Sequence, residues 1–101
     1  TPGYLAPEVL EHKGHGLPSD VWALGCVMYT VLMGSPPFEA AGRRELYQCI
    51  RGVRYPPPHC LSPRARALIT QLLNPEPTAR PSLQDVLQHG FFTQVGVTWG
   101  G

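Results

Sequence analysis

Apolar residues recur along this chain at helical spacing, and no stretch alternates apolar and polar residues as a β-strand does. The longest apolar run, residues 21–33, is apolar on every face, which predicts a helix at the centre of a domain. Residues 43–51 carry apolar side chains on one face only, which predicts a surface helix. With further helices predicted over residues 6–11 and 62–74, the pattern predicts an all-α chain.

Polar residues and glycines mark the expected ends of these helices. Ser19 is placed to cap the central helix, and Asp20 suits the positive end of its dipole. Gly52 is expected to end the surface helix. Ser62 and Pro63 are expected at the N-cap and the first position of the next helix.

Two patterns predict how the last third of the chain is organised. Ser82 and Asp85 match a capping box, which predicts a last helix that Gly90 would end. The helix before it is expected to bury one stripe, which consists of Ala65, Leu68, Ile69 and Leu72.

The charge balance argues against nucleic-acid and membrane partners. Eight basic residues stand against seven acidic ones, and the apolar run at 21–33 is too short to cross a bilayer comfortably. The one basic cluster is Arg43, Arg44, Arg51 and Arg54. It predicts the solvated face of a helix, and a phosphate-binding role is the alternative.

Three other features have both a structural and a chemical interpretation. His12 and His15 are predicted to lie in a solvated loop, because no third metal ligand follows them at a plausible spacing. The neighbours His59 and Cys60 are not expected to act as base and nucleophile. Residues 55–58 predict a stiff connection, with a ligand for an aromatic groove as the alternative.

The cysteines indicate neither a disulfide framework nor a metal site. They are odd in number, widely spaced and in no C-x-x-C pair. We therefore expect no metal site and a reducing, intracellular environment. The three residues concerned are Cys26, Cys49 and Cys60.

Three strings of residues carry more information than the periodicity does. The first, residues 1–8, reads TPGYLAPE and is similar to the end of a protein kinase activation segment. The second, residues 20–25, reads DVWALG and resembles the start of the central helix of that family. The third, residues 77–81, reads PTARP and resembles the closing arginine motif of the family.

Within kinases the chain resembles the polo-like serine/threonine branch, through residues 13–15, 25–30, 36–39, 77–81 and 91–93. The resemblance implies the helical C-terminal lobe of the α+β protein kinase fold over residues 1–95, without the other lobe or the catalytic loop. Residues 96–101 do not look like the family's continuation and form an unassigned tail.

The resemblance also implies a role for the first residues of the chain. Thr1, Pro2, Gly3, Tyr4 and Leu5 match the loop that shapes the pocket for the substrate residue following the phosphorylated Ser or Thr. Thr1 matches a threonine whose hydroxyl contacts the catalytic aspartate, and that aspartate is absent from this sequence.

Further positions match structural supports of the family. Glu8 and Arg80 match a buried ion pair that pins the activation segment to the helical lobe. Asp20 matches the aspartate that holds the catalytic-loop backbone. The resemblance places Val27 and Val31 beneath the hydrophobic stack of the adenine ring, whereas Trp22 is expected in the core. The expected supports of the central helix are thus Asp20, Trp22, Val27 and Val31.

We expect no catalytic residue in the 101 residues, because a glycine-rich loop, a strand lysine, H-R-D and D-F-G are all missing. The chain alone is expected to be inactive and to bind no cofactor, with ATP and Mg²⁺ belonging to an active full-length parent. Its first residue, Thr1, predicts a fragment whose beginning is missing.

Two hypotheses about function follow. The chain is part of a full polo-like kinase acting on proteins in the cell cycle, or it is a truncated or inactive relative that serves as an interaction module. The resemblance implies protein substrates, regulatory proteins as partners, and residence in the nucleus, cytoplasm or centrosome. Without the catalytic loop, the central helix should expose an apolar patch that makes the isolated chain poorly soluble or loosely packed.

Overall fold

The computed structural model describes residues 2–88, and over that range it has five α-helices, two 3-10 turns and no β-strand. The prediction of an all-α chain is confirmed for these residues. The predicted tail at 96–101, the string at 91–93 and the expected stop at Gly90 lie outside the described residues, as does Thr1. The helices are α1 (Pro7–Leu10), α2 (Leu17–Met33), α3 (Arg43–Arg51), α4 (Pro63–Leu72) and α5 (Leu83–Leu87), and the 3-10 turns are Pro2–Tyr4 and Pro77–Ala79.

The central helix α2 begins earlier than predicted. Its N-cap is Gly16, so the prediction that Ser19 caps this helix is wrong. Pro18 is tolerated in the first turn because the N–H groups there have no partner within the helix. Ser19 consequently lies inside the helix, is buried, and donates its hydroxyl hydrogen to Glu8 over 2.8 Å.

The buried side of α2 forms the core together with α4. Trp22, Cys26 and Tyr29 are almost completely buried on this side, and Gly25 lies at the crossing with α4. The apolar pattern predicted a helix that is buried on every face, but α2 is covered on one side only. Val27 is 43% exposed and Val31 is 75% exposed, so one face of α2 lies open to solvent.

The N-cap residues predicted for α4 and α5 are confirmed, although for α5 only the Ser82 half of the predicted capping box is formed. The hydroxyl of Ser62 accepts a hydrogen bond from the N–H of Ala65 over 3.2 Å, and Pro63 is the first helical residue. The hydroxyl of Ser82 accepts from the N–H of Asp85 over 3.1 Å. The stripe predicted for α4 is confirmed, because all four of its residues are buried: Ala65, Leu68, Ile69 and Leu72.

Helix α3 ends in a Schellman motif whose left-handed residue is a valine. Gly52 follows the helix with φ −83°, and Val53 takes φ 50°. The N–H of Val53 donates to Ile50, and the N–H of Arg54 donates to Cys49 over 2.9 Å. The helix therefore ends where Gly52 predicted, but the left-handed conformation falls one residue later, at a cost of about 1–2 kcal/mol.

Candidate functional site

The first and third strings of the sequence meet at a buried ion pair. The guanidinium of Arg80 donates from Nη1 to Oε2 of Glu8 over 2.7 Å and from Nη2 to Oε1 over 2.9 Å. The two residues are 72 positions apart in the sequence. Because the side chain of Arg80 is fully enclosed, this bidentate contact takes place away from bulk solvent.

Neighbouring groups satisfy the rest of this pair. Arg80 also donates to the carbonyl oxygens of Pro18, over 2.9 Å, and Asn74, over 2.8 Å. Burial raises the pKa of the Glu8 carboxyl, but hydrogen bonds from Arg80, the backbone and Ser19, together with the charge of Arg80, lower it further than burial raises it. Glu8 is therefore a stable anion, already occupied by partners, and is unsuited to proton transfer at neutral pH.

An aromatic stack lies directly behind the ion pair. The guanidinium carbon of Arg80 lies 5.0 Å from the centre of the Trp22 ring, in a cation–π contact. On the core side, Phe38 is parallel to Trp22 within 6°, with ring centres 5.6 Å apart. Trp22 is thus part of the core and not exposed to a ligand. Its Nε1–H has no hydrogen-bond partner among the residues that the structure describes.

The loop that precedes Glu8 is attached to α2 through its tyrosine. The hydroxyls of Tyr4 and Thr30 are 2.9 Å apart, and Thr30 donates its own hydrogen to Cys26 O over 2.8 Å. Since a hydroxyl has one hydrogen, Tyr4 is the donor to Thr30. Gly3 and Leu5 are half-buried beside it. The sequence did not reveal the contact between Tyr4 and Thr30. The one available signal was a polar residue, Thr30, within the apolar run of the central helix.

Asp20 lies apart from the buried pair. Its carboxylate Oδ1 is 3.2 Å from Nε2 of His15, and both side chains are 61% exposed. Val27 and Val31 are one turn apart on the open face of α2, again away from Glu8 and Arg80. The structure therefore separates the predicted site residues into a buried pair, an attached loop and an exposed helix face.

The alternative interpretations of the histidines gain no support from the structure. Over residues 2–88, no three His, Cys, Asp or Glu side chains converge on a point that could hold a metal ion. His59 and Cys60 are both exposed, and the Cys60 thiol contacts Met33 Sδ at 3.6 Å. Within the same range, no helix has the length and apolarity needed to cross a bilayer.

A second contact that the sequence did not reveal fixes the proline-rich connection. The hydroxyl of Tyr29 donates to the carbonyl oxygen of Pro56 over 2.6 Å, and its ring packs edge-on against Tyr55 with centres 5.7 Å apart. Burial is the largest cause that raises the pKa of Tyr29. The connection at residues 55–58 is therefore held by its own chain.

Comparison of the sequence with known proteins identifies the family of this chain. Residues 1–92 match the protein kinase domain. This chain belongs to the protein kinase family. It is 54% identical over 94 residues to serine/threonine-protein kinase PLK2 of Mus musculus, which covers 93% of this chain and 14% of that protein.

Two further relatives have a similar level of identity to this chain. The chain is 56% identical over 94 residues to inactive serine/threonine-protein kinase PLK5 of Mus musculus, covering 93% of this chain and 16% of that protein. It is 48% identical over 93 residues to serine/threonine-protein kinase PLK1 of Xenopus tropicalis, covering 92% of this chain and 16% of that protein. The resemblance to polo-like kinases is confirmed, and the chain spans about one sixth or less of the length of these curated relatives.

Proposed function

We propose that this chain is part of the helical lobe of a polo-like serine/threonine protein kinase, where it supports the pocket that receives a protein substrate. The observation that carries the proposal is the bidentate contact between Glu8 and Arg80, which ties the helix that follows the loop at residues 2–5 to position 80. The bond from Tyr4 to Thr30 fixes the same loop on α2. A loop held in advance loses little entropy when it binds an extended peptide.

In this proposal the chain supplies no group for phosphoryl transfer. Glu8 is engaged by Arg80, and Asp20 lies beside His15 on the surface. Asp85 is an exposed residue in the first turn of α5. Over residues 2–88 these carboxylates do not converge, so the described residues do not fit a site for ATP with Mg²⁺. Both would be bound by other segments of a parent kinase.

A second candidate function is a non-catalytic interaction module. The specific observation in its favour is that the relative named as inactive is as similar to this chain as the kinase PLK2 is, at 56% against 54% identity. The ion pair, the attached loop and the core serve the architecture of the chain, so they would be retained whether or not a parent protein transfers phosphate.

A chimera tests the substrate-side proposal. The matching segment of mouse PLK2 is replaced by residues 1–94 of this chain, and phosphorylation of a randomised Ser/Thr peptide library is measured. We expect the chimera to retain activity. Tyr4→Phe, which removes the bond to Thr30, should alter selection of the peptide residue that follows the phosphorylated one. Tyr55→Phe, in the proline-rich connection, is the matched control and should leave this selection unchanged.

The outcomes separate the two candidates. Retained phosphorylation with a selection that depends on Tyr4 supports the substrate-side role. A chimera that folds and binds ATP but phosphorylates no peptide would favour the interaction module instead. Activity whose peptide selection responds equally to Tyr4→Phe and Tyr55→Phe would exclude the loop from the pocket.

A further inference from the structure

The outer side of α3 forms a basic groove that the fold leaves open. The groove has a volume of about 470 Å³ and is lined by Arg43, Arg44, Tyr47, Gln48 and Arg51. The inner side of the same helix is used for folding, because Ile50 is completely buried and Leu46 and Cys49 pack against the core. The inner side of α3 therefore packs in the core, whereas its outer side does not contribute to the core.

The guanidinium groups in this groove have no acidic partner over residues 2–88, where the ion pairs involve other residues. Residues 43–54 hold four of the eight basic residues of the chain but only one of its seven acidic ones, Glu45. The basic residues are therefore concentrated on this helix and its C-terminal turn, whereas the rest of the sequence has more acidic than basic residues.

Helix stability does not account for the two arginines at the start of α3. Arg43 and Arg44 occupy the first two positions after the N-cap Gly42, where the helix dipole disfavours positive charge. Arg51, in the last turn, does suit the dipole. The first two arginines therefore oppose the local electrostatics of the helix while they line the groove, which points to a negatively charged ligand.

The spacing of the groove residues defines the shape of that ligand. Arg43, Tyr47 and Arg51 follow one another at intervals of four on one ridge of the helix, which is inclined to the helix axis and rises about 12 Å along it. An extended peptide covers this length with about four residues. We propose that this face of α3 binds an acidic, extended segment of a partner protein, with the arginines contacting carboxylates and the Tyr47 ring packing against the peptide between them.

Charge and packing favour a protein over the other anionic ligands. Duplex nucleic acid presents closely spaced phosphates along its whole length, whereas this chain has a net charge of only +1. A helix that lies on a membrane inserts its apolar side, and the apolar side of α3 is packed against the core around Ile50. The proposal concerns binding alone and does not depend on the proposed kinase function.

Fluorescence anisotropy of the full-length protein that contains this segment tests the proposal. The probe is a fluorescein-labelled octapeptide that alternates glutamate and serine, and a glutamine-for-glutamate peptide is the control. We expect binding of the acidic peptide only. The triple variant Arg43→Gln, Arg44→Gln, Arg51→Gln should weaken it about tenfold, as the loss of three exposed ion pairs.

Single substitutions sharpen the test. Arg44→Gln should weaken binding about twofold to threefold, and Lys13→Gln, an equal loss of charge on another loop, should not change it. Glu45→Gln, which removes the one acidic residue of α3, should strengthen binding. All variants should remain folded, because the substituted side chains are exposed. Melting temperatures should rise slightly on loss of Arg43 and Arg44 and fall slightly on loss of Glu45, as the helix dipole requires.

Three results would overturn the proposal. The first is equal binding of the acidic and the glutamine peptides. The second is an affinity that the triple variant leaves unchanged. The third is tighter, arginine-dependent binding of a labelled oligonucleotide or of phosphatidylserine vesicles, which would assign the groove to nucleic acid or to lipid.

Discussion

A Cβ atom on Gly25 would lie 2.7 Å from the Cβ of Leu72, a distance that side chains in folded proteins essentially never reach. The same atom would lie 3.0 Å from Cδ2 of Leu73. Both leucines are buried, so neither can move away into solvent. The absence of a side chain at position 25 is therefore what allows α2 and α4 to pack at this distance.

We expect Gly25→Ala to lower the free energy of unfolding by about 1–3 kcal/mol, because overpacking exceeds the gain in helix propensity. The measurement is urea unfolding followed by circular dichroism. Gly16→Ala is the control, since its Cβ would meet only Pro18 Cδ at 3.8 Å, and it should cost less than about 1 kcal/mol. A Gly25→Ala variant as stable as the parent would show that the two helices separate freely.

Removing one partner of the buried ion pair should be more damaging. Glu8→Gln leaves the enclosed Arg80 charge without its carboxylate, at an expected cost of about 3–5 kcal/mol in unfolding free energy. Arg80→Lys retains the charge but loses the bidentate geometry. Glu76→Gln, an exposed glutamate, is the control and should stay within about 0.5 kcal/mol. Comparable effects at Glu8 and Glu76 would contradict the structural role of the pair.

The same carboxylate should make stability depend on pH. The pKa of Glu8 is lowered in the folded chain from its ordinary value of 4.5, so the folded state binds fewer protons than the unfolded state near that pH. Its contribution is complete above pH 4.5 and is lost as the pH falls through the folded pKa. Unfolding free energies measured from pH 6 downward should therefore decrease less steeply in Glu8→Gln. Parallel curves would contradict this.

The cysteines should differ in reactivity. Cys26 is completely buried, and burial raises the pKa of its thiol to about 12, whereas Cys60 is exposed. Alkylation followed by mass spectrometry at pH 8 should modify Cys60 first, and Cys26 only on unfolding. Cys60→Ser should remove the fast phase. Modification of Cys26 at the rate of Cys60 in the native chain would mean that the core opens readily.

The exposed face of α2 should promote association of the isolated chain. Val31 is 75% exposed and Val27, one turn away, is 43% exposed. We expect Val31→Glu to reduce self-association measured by sedimentation velocity, because a charge interrupts the apolar patch. Thr70→Glu, on the exposed side of α4, is the control. A chain that remains monomeric at high concentration before any substitution would contradict the prediction.

Local sequence signals predicted the helix ends and the buried stripe of α4 well, because these features depend on residues that are close in the sequence. Ser62 and Ser82 cap their helices because a hydroxyl at that position lies close to the unpaired N–H groups of the first helical turn. The periodicity of α4 predicted its burial for the same reason, since one stripe faces one neighbour. These features depend on interactions a few positions apart, which the sequence displays directly.

The errors arose where a contact or a helix end depends on more than one residue. Ser19 has the character of an N-cap, but α2 begins at Gly16, and the Ser19 hydroxyl accepts from the N–H of Gly16 over 3.4 Å while it donates to Glu8, which lies 11 positions away. Val53 is left-handed although Gly52 precedes it. The Schellman motif requires the left-handed conformation at the second residue after the helix, and α3 ends at Arg51. The contact of Tyr29 with Pro56 spans 27 positions and follows no local pattern.

The 72 positions between Glu8 and Arg80 also have a consequence for synthesis. At about 5–20 residues per second, Arg80 is made about 4–14 s after Glu8. During that time α2 can form and Ser19 can bind the carboxylate, but the guanidinium that neutralises it does not yet exist. The segment around Glu8 is therefore fixed only once position 80 has been made, and a nascent chain halted before that position would present the segment to proteases and chaperones.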